Sequence, residues 1–111
     1  MTATFKNAIL NITTNTEQTV YTAPVGMASY LIECDIACLE NSGVQVSVKL
    51  VKASGASVFV VKNAPVPTGS SIQVISGQKI VLQAQDSIRV KCETENKSID
   101  VVLSLVEDVN S

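Results

Sequence analysis

Residues 28–38 alternate with a period of two. Ala28, Tyr30, Ile32, Cys34, Ile36 and Cys38 fall on one side, and Ser29, Glu33 and Asp35 on the other. A helix would return its apolar residues every three or four positions, so this stretch reads as a strand with one face on a core. Residues 44–52, VQVSVKLVK, repeat the pattern, with Val44, Val46, Val48 and Leu50 inward against Gln45, Ser47 and Lys49. The approach to the first of these strands, VYTAPVG, contains a corner. Pro24 fixes φ and removes a ladder donor, and Gly26 admits positive φ.

The same reading extends along the chain. Residues 5–13 form a strand with Ala8, Leu10 and Ile12 on one face and Asn7, Asn11 and Thr13 at polar positions. Further short strands are predicted over 19–23, 57–62, 71–75, 79–84, 87–92 and 98–106, with SGQ at 76–78 as a turn between two of them. The segment NAPVPTG carries Pro65 and Pro67, which exclude a central strand and predict an edge or corner. Residues 1–4 read as an N-terminal arm and 107–111 as a polar tail. About eight to ten short strands with turn signals every 8 to 12 residues, and no helical period, predict an all-β chain: a single antiparallel β-sandwich domain over residues 1–111, jelly-roll-like.

Composition bears on function. Apolar residues make up 46% of the chain and charged ones 16%, with a mean hydropathy of +0.31. Several apolar residues also fall at positions that the alternation assigns to solvent. Leu31, Leu39, Val51, Phe59, Val61, Val81 and Val102, together with the Pro65 and Pro67 corner, are the predicted subunit or particle interface. Burial on both faces, or a bulge that reverses a strand's alternation, is the competing explanation. Eight basic residues stand against ten acidic ones with no basic cluster, which argues against nucleic acid or a polybasic membrane patch as partner.

The chain has no histidine and no tryptophan. Without His, Ser-His and Cys-His nucleophile pairs and the commonest transition-metal ligand are gone, so no catalytic, cofactor-binding or metal residue is assigned and no enzyme activity is expected. Glu33, Asp35 and Glu40 could gather a divalent cation, but a solvated strand face accounts for them better. Cys34 and Cys38 lie about 13 Å apart along one strand, beyond disulfide reach. A pairing of Cys92 with either is geometrically open, but the odd count in a chain made in a cytoplasm favours three reduced core thiols.

TVYTAPVGMASYLIECDIA, then APVPTGSSIQVISGQKIVLQAQDSIRVKC and IDVVLSLVED, resemble small all-β virion proteins of tailed bacteriophages. In that group a "vYtaP.G" corner precedes a long strand and an "L.aGDsI.V" element precedes the last hairpin. Gln85 departs from this pattern by standing where Gly is frequent, so the turn there need not have a positive φ. The resemblance implies a non-enzymatic structural protein of the virion, made in the host cytoplasm. Its expected role is capsid decoration or cement, binding the assembled particle as a homo-oligomer such as a trimer. Its partners would be further copies and the major capsid protein, or tail and neck proteins. The alternatives are a neck, tail-adaptor or fibre-associated protein, or a glycan-binding host-surface module.

Overall fold

The structure is a computed structural model that describes residues 3–109. It contains β1 (Ala3–Ile12), β2 (Gln18–Thr22), β3 (Met27–Cys38), β4 (Val44–Val51), β5 (Ser57–Val66), β6 (Ser71–Leu82), β7 (Ser87–Cys92) and β8 (Ile99–Val109). One sheet has the order β1-β8-β3-β6 and the other β2-β7-β4-β5. Pairing is nested: β4 with β5, β3 with β6, β2 with β7 and β1 with β8, all antiparallel. A long hairpin rolled up on itself gives this order, which is the jelly roll. Each chain end therefore pairs with the other, and no strand needs a parallel crossover.

Leu31, Ile36, Val46, Val48, Ile88, Val90, Leu103 and Leu105 of the two inner faces fill the core. Cys34, Cys38 and Cys92 are free and buried among them. Burial, reinforced by nearby Asp35, pushes the Cys34 thiol up to about 12, so it packs as a small apolar group.

The corner before β3 is a turn in which Met27 N donates to Pro24 O at 3.3 Å and Gly26 has φ 78°. Positive φ at the third position is the type II requirement, which Gly meets without strain. The proline segment forms the end of β5, an edge strand, with Pro65 opposite Gln45.

Three expectations change, and one position left open is decided. Residues 76–78 are no turn: they continue β6, and Ser76 pairs with Glu33. Ala3 and Thr4 belong to β1 rather than to an arm; residues 1–2 of the expected arm lie outside the described residues. Glu107 is a buried residue of β8 rather than the start of a tail; residues 110–111 lie outside the described residues. Gln85 does take positive φ, 68°. Its amide donates to Ala23 O at 2.8 Å and the Ala23 amide donates to Asp86 O at 2.8 Å, so these paired bonds hold the left-handed turn without a glycine.

The alternation of β3 also reverses midway. Leu31 pairs with Leu105 of β8 and Glu33 with Ser104, leaving Ile32 unpaired as a bulge. An extra residue in a period-two strand exchanges the faces. Ser29 and Leu31 therefore join Cys34, Ile36 and Cys38 inside, while Tyr30 and Ile32 leave the core.

Candidate assembly surfaces

Leu31 is 0% exposed and Val51 is buried, so neither can belong to a docking surface. The β3 bulge turns Leu31 inward. Val51 lies on an interior strand between Ser57 of β5 and Ser87 of β7, beside the Asp86 corner. The other predicted interface residues fall in three places. Val81 and Val102 share the outer face of the β1-β8-β3-β6 sheet; Phe59, Val61 and Pro65 lie on β5; Leu39 and Pro67 sit in loops. Val61 is half-buried against the core.

On the outer face of the first sheet, the ladders align Phe5 with Val106, Val106 with Tyr30, and Tyr30 with Val81. Directly opposed antiparallel residues point the same way, so this is an apolar row across all four strands. A second row runs Ile9, Val102, Asp35, Gln73. Phe5 is 80% exposed, Ile9 71% and Val81 55%, and a groove of about 360 Å³ lies along Ile9, Asn11, Asp100 and Val102. The sequence contains the signal for Phe5 and Ile9, since they share the parity of Asn7 and Asn11 and oppose that of Leu10 and Ile12.

Within this face stands Asp35, whose buried Oδ1 has no hydrogen-bond partner among the described residues. Burial first, then the neighbouring Glu33 carboxyl, pushes Asp35 up to about 6. Two carboxylates on an apolar surface resist being ionised together.

The outer face of the second sheet is different in kind. Its row Thr19, Arg89, Lys49, Phe59 is charged. Lys49 and Arg89 reach Glu17 at 3.0 and 3.5 Å, and Lys91 reaches Glu93 at 3.2 Å. Lys49 and Lys62 place their ammonium groups 5.0 and 4.5 Å from the Phe59 ring centre. Beneath them, the buried Ser47 hydroxyl donates to Glu93 Oε2 at 2.6 Å and accepts the Asn63 amide at 3.0 Å. The Ser47 bond holds the Glu93 carboxyl below its ordinary range, and the Lys49 bond does the same for Glu17.

Two polar knots sit between these surfaces. The Tyr21 hydroxyl donates to Glu107 Oε2 at 2.5 Å and lies 2.8 Å from Ser29 Oγ, and Lys6 approaches the same carboxylate at 3.5 Å. Burial, then this carboxylate, pushes the Tyr21 phenol up to about 12, a phenol that anchors rather than titrates. At the second knot Asp86 accepts the Gln83 and Ala53 amides at 3.0 and 3.2 Å and Lys52 Nζ at 2.8 Å. Burial alone would raise Asp86, but Lys52 and the two amides outweigh it and hold the carboxyl below its ordinary value. Glu40 Oε2 accepts the Ser98 amide at 2.7 Å, so Glu40 ties loops together. Among the described residues no group of three or more Cys, Asp or Glu could hold a metal ion.

No protein-family model and no curated protein matches this sequence. Solved structures do match its fold. The chain is similar to one in the acidic stable capsid of Helicobacter pylori bacteriophage KHP30, at 10% identity and TM-score 0.61, over 98% of this chain and 94% of that one. A chain of the Bacillus endospore appendages, described as disulfide-linked pili, aligns at 13% identity and TM-score 0.57, over 99% and 90%. A chain of the T13 particle of infectious bursal disease virus aligns at 9% identity and TM-score 0.53, over 98% of this chain but only 36% of that longer one. The likeness lies in the fold: this chain is an all-β jelly roll of a type found in phage and virus particles and in a spore appendage.

Proposed function

We propose that this chain is a non-enzymatic structural protein of a virion, a small capsid decoration or cement protein that binds the assembled particle as a homo-oligomer. The carrying observation is the apolar row Phe5, Val106, Tyr30, Val81 on the outside of a sandwich whose core is already complete. An apolar outer face on a finished core has no folding role, and association is the use that removes it from water. The resemblance of the VYTAPVG corner and the closing strands to tailed-phage virion proteins, and the jelly-roll fold shared with the KHP30 capsid chain, support the same reading. Its partners are further copies and the major capsid protein, and binding to a finished lattice stabilises that lattice by mass action.

A subunit of an appendage or fibre is the second reading, favoured by the nearly full-length match to the Bacillus pilus chain. Labelling the chain in intact particles by electron microscopy, with its copy number by quantitative mass spectrometry, tests both. Label covering the capsid lattice is the expected result. Label confined to the neck, tail or a fibre overturns the decoration role, and absence from particles overturns the virion role.

A further inference from the structure

The four sheet edges are unequally protected. β2 is five residues long and breaks register between Thr19 and Tyr21. β5 carries Pro65 and two register shifts, and β6 breaks register twice against β3. These are the devices by which natural sheets prevent edge pairing. β1 has none of them. Its ten residues pair with β8 in unbroken register from Ala3↔Asp108 to Ile12↔Ile99, without proline.

We infer that β1 pairs antiparallel with β1 of a second copy, about a two-fold axis through Asn7. The inference rests on the assembly reading above and specifies its contact. Phe5 and Ile9, the most exposed large apolar residues of the strand, stand symmetrically two positions either side of Asn7. In this register Phe5 lies opposite Ile9 of the second copy, next to the groove that Ile9 forms with Val102 and Asp100. One strand thus carries both a knob and the recess for it, the self-complementarity that an isologous contact requires.

The neighbouring registers are worse. A shift by two in one direction sets Lys6 opposite Lys6, and in the other sets Phe5 opposite Asn11; the chosen register gives Lys6 the neutral Ala8. The product is a continuous eight-stranded sheet with both outer faces on the same side. The row Val81, Tyr30, Val106, Phe5 then runs on into Ile9 and Val102 of the second copy.

Three measurements on the full chain test this. The wild type should sediment as a dimer or a multiple of one, and Phe5→Lys as a smaller species with the fold intact by circular dichroism, since the Phe5 side chain is mostly exposed. Asn7→Cys should oxidise to a covalent dimer, because opposed antiparallel residues have Cα atoms about 4.5–5.5 Å apart, within disulfide range. Asn11→Cys, whose counterpart in this register is Ala3, should not; the native cysteines are buried and do not interfere. An oligomer that persists in Phe5→Lys, or in which Asn7→Cys stays uncrosslinked, overturns the edge contact and leaves the assembly reading standing. A monomeric wild type overturns the edge contact, and particle labelling then decides the assembly reading separately.

Discussion

The two sheets share a core and differ on their outer faces. The β2-β7-β4-β5 face satisfies itself: Glu17 and Glu93 accept from Lys49, Arg89, Lys91 and Ser47, and Phe59 is covered by two ammonium groups. The β1-β8-β3-β6 face leaves Phe5, Ile9, Val81 and Val102 in water and strands a carboxylate oxygen of Asp35. A surface whose groups are already paired gains little by binding, because each partner contact must replace an existing one. An apolar face gains from being covered, provided that the partner offers the Asp35 carboxyl a donor. That contrast marks the side of the sandwich on which a neighbour would sit, and five substitutions examine it.

The largest effect separates inside from outside across the paired strands β3 and β8. Leu31→Ala should cost about 2–5 kcal/mol in denaturant unfolding, as buried Leu truncations do. Val102→Ser, on the outer face, should change monomer stability by less than about 0.5 kcal/mol. A Leu31→Ala loss as small as that of Val102→Ser would mean that the bulge does not turn Leu31 inward.

Ser47→Ala examines the self-satisfied face. It leaves the Asn63 amide without an acceptor and takes a donor from Glu93, so a loss of about 1–3 kcal/mol is expected. The Glu93 carboxyl, followed by NMR titration, should move up toward its ordinary range. No loss would show that this face is less closed than its bonding implies.

Asp35 examines the open face through pH. Its folded-state value of about 6 lies above the ordinary 3.8, so the folded chain holds a proton that the unfolded chain releases. Stability therefore falls as pH rises through that window, and the penalty is complete above the folded value. Asp35→Asn should stabilise the protein by about 1 kcal/mol at neutral pH and flatten the melting profile across the window. An unchanged profile would mean that Asp35 is well solvated on this face.

The smallest effect concerns the corner that joins the sheets. Gln85 at φ 68° is a left-handed non-glycine, so Gln85→Gly should raise stability by about 0.5–1 kcal/mol, the strain relieved exceeding the added unfolded-state freedom. Thermal melting reads the shift. A loss would mean that the Gln85 side chain contributes more than its backbone costs.

Much of the architecture was legible in the sequence, for reasons visible in particular residues. Period-two runs at 28–38 and 44–52, the Pro24 and Gly26 corner, and the two prolines that confine the end of β5 to an edge are local signals, each fixed by a few neighbouring side chains. They suffice for an all-β sandwich because a strand's pleat decides the facing of its own residues. The absence of histidine, and with it of the usual catalytic pairs, is likewise a property of the chain alone.

Other features became decidable only in three dimensions. Ile32 is a bulge because neither Leu105 nor Ser104 of β8 pairs with it, and β8 lies some seventy residues away in the chain. That single unpaired residue turns Leu31 from a surface candidate into core. Residues 76–78 look like a turn, yet they continue β6, which pairs with β3 at Ser76 on one side of them and at Ile80 on the other. Gln85 accepts a left-handed conformation because Ala23, sixty-two positions earlier, supplies both ends of its bonding. Strands and most of their faces follow from local periodicity and so stand in the chain alone. Register, bulges and the choice of outward sheet depend on which distant strand arrives alongside, so they exist only in the folded molecule.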